Sequence, residues 1–218
     1  MESAITFIFY IVILLFSVVI HEVSHGAMAY ALGDSTAKHA GRLTLNPIPH
    51  IDPFGSIILP LILALPALFG APTIIFGWAK PVPYNPYNLK NQKWGPALVG
   101  AAGPGSNILI AVVFGFVIRF LPALSGLSPE FVQAFIGALA VIVFLNLGLA
   151  IFNLVPIPPL DGSKVLFSVL PYHWLRIREI LERNGFFFLL IFIFFFSRFL
   201  LPIIFFFFVL LTGLTRLF

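Results

Sequence analysis

The chain has 218 residues, 60% of them hydrophobic and 9% charged, with a mean hydropathy of +1.08, a balance that excludes an ordinary soluble domain and admits several membrane-crossing runs. It contains no cysteine, which excludes disulfides and thiolate metal sites and restricts any transition-metal site to His, Asp and Glu. The formal net charge of +4 falls in the connecting loops, so it reads as a topology signal, and nucleic acid is excluded as a partner.

Apolar runs lie at about 4–32, 54–79, 96–122, 131–155 and 186–217, and a helix needs roughly 20 such residues to span a bilayer. The expected fold is an all-α polytopic membrane protein, a bundle of about four to six transmembrane segments. The first run follows Met1-Glu2-Ser3 without a basic n-region or a cleavage site and is expected to be retained. Inside it stands His21-Glu22-Val23-Ser24-His25. Residues four apart share a helix face, so His21 and His25 can offer two imidazoles to one ion, while Glu22, about 100° round the helix, can reach a water on that ion. Two histidines leave a catalytic metal short of a ligand, and a third must come from elsewhere in the chain.

Next, "GRLTLNPIPHIDPFG" (residues 41–55) alternates and then breaks at prolines, which predicts a small β element near 41–51 at the membrane edge. Its strand-like 41–47 would hold an extended substrate by edge pairing. His50 and Asp52 within it read as a structural turn at an Asp-Pro bend, not as a second metal site. Lys38, Arg42, Lys80, Lys90, Lys93, Lys164 and the arginines of 176–183 contrast with the uncharged-basic loop 123–130, which has no Lys or Arg. The positive-inside rule therefore places the basic loops in the cytoplasm and the N-terminus outside. Both flanks of 54–79 are then cytoplasmic, so that run should enter and return, broken at Pro60, Pro66 and Pro72.

The run 131–155 ends in "NLVPIPPLDG", Asn153 to Gly162, where three prolines stop the helix and Asp161 follows. An aspartate at that depth is costly without a partner, which makes Asp161 the candidate third ligand; an N-cap role for it is the blander alternative. Counted from Ile5, His21 lies roughly 24 Å along the axis, so runs passing from outside to inside bring His21 and Asp161 to the same membrane level. The segment 163–184 reads as an interfacial amphipathic helix. The phenylalanine-rich 186–217, interrupted by Arg198 and Pro202, fits one tilted span or a tight hairpin. Arg119 and Arg198 are expected to snorkel to headgroups, and His39 and His173 to be loop residues.

The HExxH at His21–His25, together with Asn153-x-x-Pro156-x-Pro158-x-Leu160-Asp161-Gly162, resembles the site-2 protease family of intramembrane zinc metalloproteases, peptidase family M50. "GRLTLNPIPHIDPFGSIILP", "FGWAKPVPYNP" and "AAGPGSN" are similar to segments of its short members without PDZ domains, and the likeness covers most of residues 15–165. The resemblance implies a single membrane peptidase domain over 1–218, with a catalytic core at about 4–165 and a C-terminal amphipathic and Phe-rich part at 163–218. It implies one zinc per chain on His21, His25 and Asp161, and Glu22 as the catalytic base. Asn153 is placed to bind the substrate backbone or steady an oxyanion, and Asn107 could do similar work. The implied substrates are transmembrane segments or signal-peptide remnants, cut in the cell membrane with the site toward the cytoplasm. A non-proteolytic scaffold or metal-binding transporter is the alternative, which the intact Glu22 disfavours; a zinc peptidase for soluble peptides is a third. The physiological substrate and the oligomeric state are not legible in the sequence.

Overall fold

Thirty residues without a proline form helix α1, Glu2–Ala31, about 45 Å long at 1.5 Å per residue. The computed structural model describes residues 2–65, 78–121 and 128–215. Asp34 follows α1, with no exposed surface, and accepts from Thr36 N and Thr36 Oγ1 at the start of the short α2, Thr36–His39. The same carboxylate takes Asn85 N at 2.6 Å and Asn88 Nδ2 at 2.9 Å, tying the end of α1 to a loop fifty residues away.

The β element predicted near 41–51 does not form; no strand occurs among the described residues. Thr44 Oγ1 accepts from Asn46 N and Asn46 Oδ1 accepts from Ile48 N, so side chains close turns on the backbone groups a ladder would use. Pro47 and Pro49 supply no N–H, and Ile48–His50 is a 3₁₀ turn. Edge pairing of 41–47 with a substrate would require these turns to open. Asp52 caps the π-helical turn Pro53–Ile58 by accepting from Gly55 N at 2.7 Å, and α3 follows at Leu59–Ala64. His50 turns its Nε2 to Thr44 O at 3.0 Å. Of the expected re-entrant run, residues 66–77 lie outside the described residues. Its two flanks meet, since Trp78 N donates to Gly55 O at 3.1 Å.

Residues 78–85 run as an extended strap. Lys80 N donates to His50 O, and Arg42 Nη2 donates to Lys80 O at 2.6 Å and Pro81 O at 3.3 Å. Beyond the strap come α4, Gly95–Phe120, and α5, Pro129–Asn153, the latter opened by Ser128 Oγ accepting from Phe131 N with proline at the first helical position. After the proline loop, α6 covers Asp161–Val169 and α7 Leu175–Ile191. A π turn at Phe192–Phe196 and a 3₁₀ turn at Ser197–Phe199 lead into α8, Leu200–Thr212.

Among the described residues four helical stretches are long and apolar enough to cross a membrane: Ile8–Ala31, Gly95–Phe120, Pro129–Asn153 and Leu175–Thr212. Contacts fix their directions. As α1 advances from His21 to His25, its α4 partners retreat from Asn107 to Val99, so α4 is antiparallel to α1. Asn146 and Asp161 meet Ser17 and His21 in turn, so α5 is parallel to α1. The C-terminal run continues in one direction along α5 and does not fold back as a hairpin. Gly185 lies on Pro158, Phe192 meets Phe152, Phe208 meets Phe144, and Arg119 at the far end of α4 donates to Leu210 O at 2.8 Å. Arg119 thus reaches the end of α8, while Arg198 lies 5.1 Å over the Phe199 ring.

The apolar core joins α4, α5 and α8 through Ala111, Ile118, Val143, Leu147, Ile204 and Phe208. Lipid tails are as apolar as leucine, so close packing and not exclusion of water holds such helices together. Gly115 serves that end: a Cβ there would lie 2.8 Å from Leu211 Cβ. The phenylalanines divide accordingly, with Phe208 fully buried and Phe194 and Phe206 on the outer, lipid-compatible face.

Candidate metal centre

His21 and His25, one helical turn apart on α1, are each 6% exposed, as is Asp161 at the start of α6. Three donor atoms converge. His21 Nε2 and His25 Nε2 each lie 3.0 Å from Asp161 Oδ2 and 3.1 Å from one another. One ligand atom of Glu22 falls within 4.8 Å of those of the two histidines.

Asp161 arrives there through its neighbour. A Cβ on Gly162 would stand 2.2 Å from Leu154 O, so only glycine lets the end of α5 lie against the first turn of α6. The helix N-cap is Leu160, without a side-chain cap bond, so the capping alternative for Asp161 is not the arrangement found. Its Oδ1 instead takes Lys164 Nζ at 2.8 Å, leaving Oδ2 for the histidines. Lys164 also borders a cleft of about 970 Å³ whose walls include Tyr84, Lys93, Pro158, Phe167 and Trp174.

The imidazoles are held from behind. His25 Nδ1 lies 2.6 Å from Val99 O, a carbonyl that can only accept, so Nδ1 carries the hydrogen. His21 Nδ1 lies 2.6 Å from Asn107 Oδ1. Neutral rings in these tautomers aim two bare Nε2 lone pairs at each other and at a carboxylate oxygen, an arrangement that a proton or a metal cation among them relieves. Zinc bonds of about 2.0–2.1 Å at tetrahedral angles place neighbouring donors about 3.3 Å apart, close to the spacing found. The two-His, one-carboxylate donor set therefore fits zinc.

Glu22 does not join the three. Its Oε2 accepts from Val82 N at 2.8 Å, so the strap holds it beside the cluster. Asn153, at the last turn of α5, donates through Nδ2 to Leu149 O at 2.9 Å. Asn107 is fully buried behind His21 and so orients a ring; it does not face a substrate as the sequence had suggested. Sequence reasoning missed the rest of the support. Val82 and Val99 act through the main chain and carry no signal, Gly103 lay in a noted motif without an assigned role, and Lys164 was counted only as a loop charge. Gly103 is the floor of the site: a Cβ there would lie 2.4 Å from His25 Nε2 and 2.6 Å from His21 Nε2.

The sequence model for peptidase family M50 matches residues 9–192. "Putative zinc metalloprotease YwhC" of Bacillus subtilis (strain 168) is 39% identical over 165 residues, which are 74% of this chain and 68% of that protein. "Putative zinc metalloprotease Rip2" of Mycolicibacterium smegmatis is 32% identical over 160 residues, 70% of this chain and 53% of its own length. The Rip2 of Mycobacterium tuberculosis H37Rv is 30% identical over 155 residues, with the same coverage of each. The chain thus spans about half the length of the Rip2 proteins. No solved structure matches.

Proposed function

The chain belongs to peptidase family M50, and from that premise we propose that it is an intramembrane zinc endopeptidase cutting transmembrane segments or signal-peptide remnants within the bilayer. The observation that carries this reading is the meeting at about 3 Å of Asp161 with His25 and with His21, the latter 140 residues away in sequence. In this proposal His21 Nε2, His25 Nε2 and Asp161 Oδ2 hold one zinc per chain. When bound, zinc supplies Lewis acidity that polarises the scissile carbonyl and acidifies the attacking water.

The residues of the chain do the rest. Glu22 takes the proton from the water as its oxygen bonds to the carbonyl carbon, and returns it to the amide nitrogen as the C–N bond breaks. The strap supports this role by keeping Glu22 to one side, where Val82 N–H occupies Oε2. Asn153 engages the unwound substrate backbone once its amide leaves Leu149 O. A substrate helix must unwind locally first, because its peptide groups are closed in i to i−4 hydrogen bonds. The basic loops support a site toward the cytoplasmic face of the cell membrane, from which water would have to reach it. The 1–218 unit acts as one membrane peptidase domain.

The test is reconstitution in liposomes with single-span model substrates. Cleavage is expected from wild type, removed by a zinc chelator and by Glu22→Gln, whose amide oxygen can still accept from Val82. A folded wild type that holds no zinc after metal reconstitution would overturn the proposal.

A further inference from the structure

Behind His21, hydrogen bonds cross three helices. Asn107 presents Oδ1 to His21 Nδ1 at 2.6 Å, and its Nδ2 donates to Asn146 Oδ1 at 2.8 Å and Ser17 O at 3.3 Å. Asn146 Nδ2 donates to Ser17 Oγ and Ile142 O, both at 2.9 Å. Asn107 and Asn146 have no exposed surface and Ser17 is 4% exposed, so water cannot substitute for a lost partner.

A side-chain amide can in general be turned over, exchanging its oxygen and nitrogen. Here each one is pinned. Ser17 O and Ile142 O are main-chain carbonyls that only accept, so each must meet an NH₂ group. With Asn107 Nδ2 committed to Ser17 O and Asn146 Oδ1, its oxygen is the atom left facing the imidazole. His21 must then bring the hydrogen on Nδ1. His25 needs no such chain, because its Nδ1 meets the carbonyl of Val99 directly.

We propose that Ser17, Asn146 and Asn107 form a directional hydrogen-bond relay that fixes the hydrogen of His21 on Nδ1 and so turns the Nε2 lone pair to the metal. Asn146 and Ser17 touch neither substrate nor metal; they are positioning residues that act through Asn107. The purpose of the relay rests on the zinc reading above, whereas its polarity rests on hydrogen bonds within the chain, in which Asn146 Oδ1 holds Asn107 Nδ2 at 2.8 Å and Ser17 O holds it more loosely at 3.3 Å. Outer partners of metal-bound histidines typically govern metal affinity by about 10–100-fold, and this relay places that control on α5, which supplies no ligand itself.

The experiment reads His21 twice. In zinc-free protein labelled with ¹⁵N-histidine, the protonated and bare ring nitrogens are distinguished by NMR, and the His21 signals are assigned by their loss in His21→Asn. Zinc affinity is measured separately by competition with a chelator. Wild type is expected to carry the hydrogen on Nδ1. Asn146→Leu should populate both tautomers and weaken zinc binding about 10–100-fold. Ser17→Ala, which removes one hydroxyl, should move both readings the same way by a smaller factor and serves if Asn146→Leu does not fold. Hydrogen on Nε2 with a bare Nδ1 in wild type overturns the relay, and so does a folded Asn146→Leu with the wild-type tautomer and affinity. Nδ1–H in a wild type that holds no zinc leaves the relay standing and removes the metal reading.

Discussion

Gly103→Ala adds one methyl group to the floor of the metal centre. The new Cβ would stand 2.4 Å from His25 Nε2, 2.5 Å from His25 Cε1 and 2.6 Å from His21 Nε2. Ordinary contact begins near 3.4 Å, so the two rings must retreat by roughly 0.8–1 Å, as must any ion they hold. They cannot retreat freely, because each Nδ1 is anchored at 2.6 Å, to Asn107 and to Val99 O. A misplacement of about 1 Å at a catalytic group costs on the order of 100-fold in rate, or about 2.7 kcal/mol of barrier. Gly103 precedes Pro104 inside α4, where a Cβ also disfavours the helical conformation and offsets the usual gain of alanine over glycine, so the helix content of Gly103→Ala is compared with wild type by circular dichroism before a loss is assigned to the rings. Gly105, two residues on, is the internal control: a Cβ there meets nothing within 4 Å. Zinc affinity and the initial rate on a liposome-embedded substrate should both fall in Gly103→Ala and stay at wild-type values in Gly105→Ala. Wild-type zinc affinity in Gly103→Ala would refute the claim that the rings meet over that glycine.

Glu22→Gln should keep zinc and fold while losing about 10²–10⁴-fold in cleavage rate; a loss of zinc equal to that of a ligand variant would make Glu22 a ligand instead of a base. Asp161→Ala and His21→Ala should each lose most bound zinc by elemental analysis of purified protein, and retention in either would split the proposed centre. Asp34 carries a pH signature. Burial opposes its charge, but donors from Thr36, Asn88 and Asn85 outweigh that and hold its carboxyl below the usual range. Its contribution to stability is therefore complete above the unfolded value near 3.9 and is lost as pH falls through the lower folded value. Asp34→Asn should cost about 1–3 kcal/mol at neutral pH and shorten the acid limb of the stability profile; an unchanged acid limb would show that Asp34 titrates as an ordinary carboxyl.

The spans were legible because a run of some 20 apolar residues has few fates, and His21, Glu22, His25 and Asp161 because charge in such runs demands a partner. The alternation in 41–47 pointed to a strand, but pattern does not reveal that Thr44 and Asn46 would satisfy the neighbouring backbone themselves. Hydropathy was equally silent on the last run, where one span and a hairpin have the same composition; the succession of Pro158, Phe152 and Phe144 along α7 and α8 decides it. Asn107 and Asn146 were visible as polar residues inside spans, yet their partnership depends on the rotation of two helices about their axes. Gly103 is legible only once two imidazoles are known to face it.

Polar atoms inside a membrane bundle cost several kcal/mol each unless they find partners, and their distribution here is uneven in an informative way. Ser17, Asn107 and Asn146 consume one another's hydrogen-bonding capacity almost completely. Val99 O consumes that of His25 Nδ1, and Lys164 takes the outer oxygen of Asp161. Among the described residues, the buried side-chain nitrogens without a partner are Arg42 Nε and His50 Nδ1, both in the loop region outside the spans. Among the described residues, two imidazole Nε2 atoms and one carboxylate oxygen meet at a single spot, about 3 Å from one another. Three metal-ligating atoms brought to a single point are the arrangement a cation site requires, and it ties the apolar packing of α1, α4 and α5 directly to the chemistry proposed for the chain.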